Sequence, residues 1–237
     1  MNIIEVKNLE RIYGDVVKTY ALKNTTFSIK EGEFVAIMGP SGSGKSTLMN
    51  ILGLLDRPTK GKYYFNGEDV ATFSDSKLAE FRNDKIGFIF QAFNLLPRTT
   101  VLKNTILPLT YTKDKSNKEE KGKKILEKVG LSHRLENLTN EISGGEKQRV
   151  AIARALINNP NIIFADEPTG NLDSKSGVQV MEILEKLNDD GHTVILVTHE
   201  TKTAQYAERI MTIVDGEIKS DELVKNRRKV NPKDLIK

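Results

Sequence analysis

One octapeptide does most to limit what this chain can fold into. Gly39-Pro40-Ser41-Gly42-Ser43-Gly44-Lys45-Ser46 follows the compact apolar run Phe34–Met38 and precedes a helical segment expected to reach about Leu55. G-x-x-x-x-G-K-[ST] between a buried strand and a helix is the context of a phosphate-binding loop. Gly42 and Gly44 allow backbone torsions and a close approach that a Cβ would block. The loop N–H groups and the helix N-terminus then face the phosphate oxygens. Lys45 brings a point charge near the β- and γ-phosphates, and the Ser46 hydroxyl can coordinate Mg2+. The loop implies a nucleotide. It does not say which one, or what its hydrolysis drives.

The rest of the chain supplies the sheet around such a loop. Ile4, Val6 and Leu9, then Leu22, Phe27 and Ile29, mark two early strands, and 62–66 a third that turns at Asn66–Gly67. A helix is expected over 75–84, leading into the apolar run Ile86–Phe90. Residues 101–138 read as helix-rich. Beyond them a helix over 145–158, a strand Ile162–Ala165, a helix over about 175–188 and a strand Val194–Val197 follow in turn, then a helix-and-strand stretch through Ile210–Val214. Strands alternating with helices predict an α/β fold with a largely parallel sheet covered on both faces.

Two further places carry chemistry. The strand Ile162–Ala165 runs into Asp166-Glu167. Adjacent carboxylates at a strand end are costly to bury without a cation. Asp166 is placed to hold Mg2+, directly or through water. Glu167, pointing to the other side of the chain, can polarise water for in-line attack. Ile142-Ser143-Gly144-Gly145-Glu146-Lys147-Gln148-Arg149 opens another helix, with capping-box spacing between Ser143 and Glu146. The glycine pair leaves that helix tip with little side-chain cover, which makes a second anion site. Two such sites and one γ-phosphate imply that the second site of each chain serves a partner's nucleotide.

Charge and composition exclude other classes. The net charge is +4, yet the segment from Lys225 to Lys237 alone carries six basic residues and one acid, leaving the remainder near −1. A nucleic-acid-binding body needs basic residues clustered over the fold, so no nucleic-acid partner is expected. The basic tail reads as a disordered end, and the charge run from Lys113 to Lys124 as a solvated helix face or loop. The absence of cysteine excludes disulfides, thiol catalysis and Cys-based metal sites. No apolar run approaches 18 residues and the N-terminus has no signal-peptide pattern, so a cytoplasmic chain is expected.

Taken together, these segments resemble the ATP-binding cassette (ABC) ATPases. Residues 39–46 resemble the Walker A loop, continued by Thr47, and 162–167 the Walker B strand with its glutamate. Ser143-Gly144-Gly145-Glu146 resembles the signature, whose fourth residue is usually glutamine. Gln91 resembles the Q-loop glutamine, Asn171-Leu172-Asp173 the D-loop, and His199 the switch histidine. Tyr13 stands where the adenine-stacking aromatic is expected, with Tyr20 a nearby competitor. The resemblance covers nearly the whole chain in the right order. It implies a P-loop fold with a RecA-like core, an antiparallel β subdomain and a helical subdomain inserted at about 92–160, the cassette spanning 1–224 before the tail at 225–237.

The resemblance also implies a mechanism. Two chains would sandwich two ATP molecules head to tail, with the signature of one closing over the γ-phosphate of the other. Glu167 would act as base and His199 would position the γ-phosphate and the attacking water. Ser46, Gln91 and Asp166 would attend Mg2+, and Gln91 would link the metal site to transmembrane helices. The stretches 37–47 and 52–56, Gln91–Pro97 and Asp166–Ser174 look like the MacB/LolD type, to which division-associated members are close. Such members drive a separate transmembrane permease in macrolide or antimicrobial-peptide efflux or lipoprotein release, from the cytoplasmic face of the membrane. An importer ATPase and a soluble ABC protein are the alternatives. A GTPase fails, because Asn117-Lys118-Glu119-Glu120 lacks the final Asp of a guanine reader.

Overall fold

The computed structural model describes residues 1–114 and 116–230. In chain order the elements are β1 (Asn2–Tyr13), β2 (Thr19–Lys30), β3 (Phe34–Met38), α1 (Lys45–Leu52), β4 (Lys60–Phe65), β5 (Glu68–Asp69), α2 (Asp75–Lys85) and β6 (Ile86–Phe90). They continue with α3 (Val101–Ile106), α4 (Lys118–Lys128), α5 (Gly144–Leu156), β7 (Ile162–Asp166), α6 (Ser174–Asp189), β8 (Thr193–Thr198), α7 (Thr201–Ala204), β9 (Arg209–Val214) and β10 (Glu217–Leu223).

The chain forms two compact units. The first comprises 1–79 and 191–228. It holds an antiparallel sheet of order β2-β1-β4-β5. It also holds β3, paired in parallel with β8 on one side and β9 on the other, with β10 antiparallel to β9. Phe34–Ile37 and Val194–Leu196 are fully buried, as runs apolar on both faces require. In β1 the alternation Ile4, Val6 turns one face inward, while a register shift before Leu9 keeps that residue buried too.

The second unit comprises 80–190 and the segment from 229. There β6 and β7 pair in parallel. Helix α5 packs on β6 and against α3, α4 and α6. It is nearly enclosed: Val150, Ala151, Ile152 and Ala153 have no exposure.

Several expectations shift. Helix α1 ends at Leu52, not Leu55, because the Gly53 N–H caps it on Met49 O and Leu54 turns left-handed (φ 58°). The 101–138 stretch is only partly α-helical. Pro108 cannot continue α3, and the chain passes into a 3-10 turn at Leu107–Thr110 before α4. The lysine-rich run forms much of α4 with its charges outward, Lys121 pairing with Asp114 and Lys124 with Glu120. Gly122 faces inward, where a Cβ would lie 2.5 Å from Ile106 and 2.7 Å from Leu102.

The basic tail does not start as a loose end. Arg227 donates to Tyr206 O at 2.8 Å and Glu208 at 2.9 Å, and its guanidinium lies over the Phe34 ring. The Arg228 N–H bonds Gln205 O, and its side chain covers Tyr206. Two cations thus find carbonyl, carboxylate and ring partners within a few residues, which orders the segment. Residues 231–237 lie outside the described residues.

Candidate functional site

In the first unit the phosphate loop forms where the strand–helix pattern places it. Gly44 caps α1 at φ 104°, and a Cβ there would stand 2.4 Å from Ala21 O. Gly39 is pressed as closely on Ile213 O, at 2.1 Å for a built Cβ. These approaches allow the loop to lie on neighbouring backbone, where the Gly216 N–H also bonds Ser43 O at 3.0 Å. Helix α1 has neither a side-chain cap nor an acid in its first turn, so its N-terminal N–H groups keep their capacity for an anion. Pro40, Ser41, Gly42 and Ser46 are exposed, and Thr47 is half-buried. Lys45 Nζ donates to Gly39 O and Pro40 O, both at 2.8 Å, which folds the cation over the loop. Ser43 Oγ is buried without a hydrogen-bond partner. A loop with an orphaned hydroxyl, uncapped N–H groups and one cation fits a polyphosphate.

Two more expected residues belong to this unit. Met38 stands opposite Thr198 in the parallel β3–β8 pair, so Gly39 and His199 both follow the carboxyl ends of adjacent strands. That end of parallel strands is where α/β proteins bind ligands. His199 is exposed there. Tyr13 ends β1, half-exposed, its hydroxyl donating to Asp56 at 2.9 Å. Arg11 lies over the Tyr13 ring at 4.4 Å and pairs with Asp56 at 2.9 Å, which fixes the ring. Tyr20 is more exposed.

The second unit repeats the strand-end logic. Phe90 stands opposite Asp166 in the β6–β7 pair, so Gln91 and Glu167 leave neighbouring strand ends side by side. Glu167 is not simply the next residue of the strand. It adopts φ 44°, so a left-handed turn and not strand alternation sets its direction. A non-glycine residue held there carries strain, and strained residues cluster at working sites. The turn is closed by the Gly170 N–H on Glu167 O at 3.0 Å. A Cβ on Gly170 would meet Gln91 Nε2 at 2.6 Å. Asn171 Nδ2 donates to Gln91 O at 3.0 Å, and Gln91 Nε2 to Asn171 Oδ1 at 3.4 Å.

The helix tip expected as a second anion site forms a capping box. Ser143 Oγ accepts from the Glu146 N–H at 3.3 Å, and the Ser143 N–H donates to Glu146 Oε2 at 2.9 Å. Burial works against the Glu146 charge. The Ser143 amide, the Arg134 guanidinium and the Ser143 hydroxyl more than offset it, taking the pKa down to about 2. Gly145 lies against Ser176, where a Cβ would stand 2.5 Å from Oγ, and Gly144 faces Leu172 and Asn171. Asp173 caps α6, accepting from Ser176 N at 3.0 Å and Ser176 Oγ at 2.6 Å. The Ser176 hydroxyl, then its amide, hold the Asp173 carboxyl below the usual range. The 143–146 tip and the 171–173 turn are therefore one surface of this unit. Gln148 is no part of it: fully buried, it donates to Pro168 O at 2.8 Å.

Two positions escaped the sequence. Arg154 donates to Phe93 O at 2.9 Å and also to Asn94 O, clamping two consecutive left-handed residues (φ 61° and 50°) just after Gln91. An arginine among the alanines of an apolar helix was the available signal. Arg134, which holds Glu146, leaves none. Among the described residues no group of three or more His, Asp or Glu forms a metal cluster. A Mg2+ site needs only one or two carboxylates beside phosphate oxygens and water.

Comparison with known proteins places this geometry. A family profile described as "ABC transporter" matches residues 22–170. The chain is 55% identical over 222 residues to a macrolide export ATP-binding/permease protein, MacB, of Bdellovibrio bacteriovorus. The match covers 93% of the chain and 34% of that protein, so the chain spans about a third of that relative's length. It is 56% identical over 218 residues to an uncharacterized ABC transporter ATP-binding protein, MJ1508, of Methanocaldococcus jannaschii, covering 91% and 97%. Among solved structures it resembles the dimeric post-hydrolysis state of the ATP-binding cassette MJ0796 bound to ADP and Pi. There the TM-score is 0.86 at 45% identity, over 94% of this chain and 99% of that one. The chain belongs to the ABC transporter family. Its fold is that of the P-loop ABC ATPases, and it corresponds to the ATP-binding cassette.

Proposed function

We propose that this chain is the ATP-binding and ATP-hydrolysing subunit of an exporter-type ABC complex, driving a separate transmembrane permease by ATP-dependent dimer closure. The phosphate loop carries this reading: an uncapped α1 N-terminus, Lys45 folded over the loop and the orphaned Ser43 hydroxyl. The MacB relative, named for macrolide export, supports export over import. Macrolide, peptide or lipoprotein cargo is the class such a permease would carry. The chain would work from the cytoplasmic face of the membrane. Among its described residues no helix is long and apolar enough to cross one.

Each residue has a role in this reading. The loop from Gly39 to Thr47 holds the phosphates by N–H groups and the Lys45 charge. Tyr13 stacks on the base. Ser46, Asp166 and Gln91 would hold Mg2+, which would supply charge neutralisation to the phosphates. Glu167 takes the proton of the attacking water, and His199 orients water and γ-phosphate. Ser143, Gly144, Gly145, Glu146 and Asp173 belong to the nucleotide site of a second copy. A field assembled from both chains supplies donors that one chain lacks. The cassette is read as 1–224, with a helical subdomain at about 92–160.

Lys45→Ala tests the loop. Removing its charge is expected to weaken binding of a fluorescent ATP analogue about tenfold or more and to bring ATPase activity to background. Unchanged affinity and turnover would remove the loop from the site.

A further inference from the structure

Position 146 poses an electrostatic problem. In the shared-site reading the Ser143–Glu146 tip faces a partner copy's triphosphate, and a bare carboxylate there would repel it. Both Glu146 oxygens are, however, engaged inside the chain. Oε2 accepts from the Ser143 amide and hydroxyl, each at 2.9 Å. Oε1 accepts from Arg134 Nε at 2.8 Å, with His133 Nε2 at 3.8 Å. The Glu146 side chain is 13% exposed and that of Arg134 38%, so solvent screens this pairing only in part. Arg149 also feels Glu146, but its guanidinium donates to Gln179 at 3.0 Å.

The backbone holds Arg134 ready. It ends the 3-10 turn Ser132–Arg134, its N–H bonded to Leu131 O and its carbonyl accepting from the Asn137 N–H, both at 3.0 Å. Leu131, fully buried, anchors the turn. Arg134 comes from the connection between α4 and α5, not from α5 itself, so helix capping alone does not call for it.

We propose that Arg134 is a positioning residue of the nucleotide-facing tip. It cancels the Glu146 charge and keeps that carboxylate turned back onto Ser143, so the tip offers N–H groups and a neutral surface to a partner's γ-phosphate. The proposal rests on the shared-site reading and adds the residue that makes a carboxylate tolerable there. It has a specific consequence: Arg134 is needed only while residue 146 is charged.

The experiment is a double-variant cycle in the Glu167→Gln background, with dimer followed by sedimentation velocity across an ATP titration. Arg134→Ala is expected to raise the ATP concentration for half-dimerisation at least about tenfold, leaving monomer affinity for a fluorescent ADP analogue unchanged. With Glu146→Gln added, the same substitution is expected to shift the midpoint less than about twofold. Arg134→Lys, which keeps the charge, should stay within about threefold of the parent. It also serves if the alanine variant folds poorly. An equal loss with Glu146 or Gln at position 146 would make Arg134 a structural residue or a direct phosphate ligand and overturn the proposal. So would no loss in either. If the Glu167→Gln parent stays monomeric at saturating ATP, the shared-site reading falls, and this proposal with it. If the parent dimerises, only the proposal is at stake.

Discussion

Glu167→Gln is expected to bind ATP as the unaltered chain does, to turn over about 10²–10⁴ times more slowly, and to accumulate as an ATP-bound dimer. The reasoning starts from position. Glu167 leaves β7 in a left-handed turn closed by the Gly170 N–H, beside the residue that leaves β6. Glutamine has the same shape and backbone preferences, so the turn should survive. What it loses is the capacity to take a proton from water. ATP binding by the loop from Gly39 to Thr47 does not use that proton, so closure proceeds and cleavage stalls. Size-exclusion chromatography with and without ATP reads the trapped dimer. Turnover at the unaltered rate would show that another group is the base.

Ser143→Arg is expected to do the reverse, blocking dimerisation while each monomer still binds nucleotide. Ser143 is exposed at the N-terminus of α5, where its hydroxyl accepts from the Glu146 N–H. Losing this cap costs about 1 kcal/mol of local helix stability. Placing a cation at a helix N-terminus costs roughly 0.3–1 kcal/mol more. Neither threatens a helix whose core residues are wholly enclosed. In the proposed shared site the large effect is steric: a long side chain would stand where a second copy's triphosphate approaches. In the Glu167→Gln background, light scattering should show no ATP-dependent dimer at concentrations at which the parent is fully dimeric. A dimer as tight as the parent's would take Ser143 away from the interface.

What the sequence made legible was local and continuous. The phosphate loop could be read because a buried strand, two glycines, a lysine and a serine follow one another without a gap. The capping box at Ser143 and Glu146 is likewise a three-residue spacing. The placement of Gln91 and Glu167 at neighbouring strand ends needed the parallel register of β6 on β7, which no segment carries by itself. His199 and Gly39 needed β3 on β8 in the same way. The left-handed Glu167 was missed because strand alternation predicts its direction only while the strand continues. Arg154 was missed because its hydrogen bond to Asn94 spans 60 residues. Arg134 reaches only 12 residues, but from an irregular connection with no periodicity to betray it. The burial of Gln148 was not legible either, because its Pro168 partner lies 20 residues away.

The most direct test of a site divided between two copies is to mix two inactive chains. Lys45→Ala removes the loop cation and Ser143→Arg the opposing tip. In a mixed dimer both lesions fall in one nucleotide site, leaving the other intact. An equal mixture is expected to regain ATPase activity well above background through the intact site of each mixed dimer, although each variant alone stays at background. A mixture that remains as inactive as its components, under conditions where mixed dimers are shown to form, would mean that each chain completes its own site.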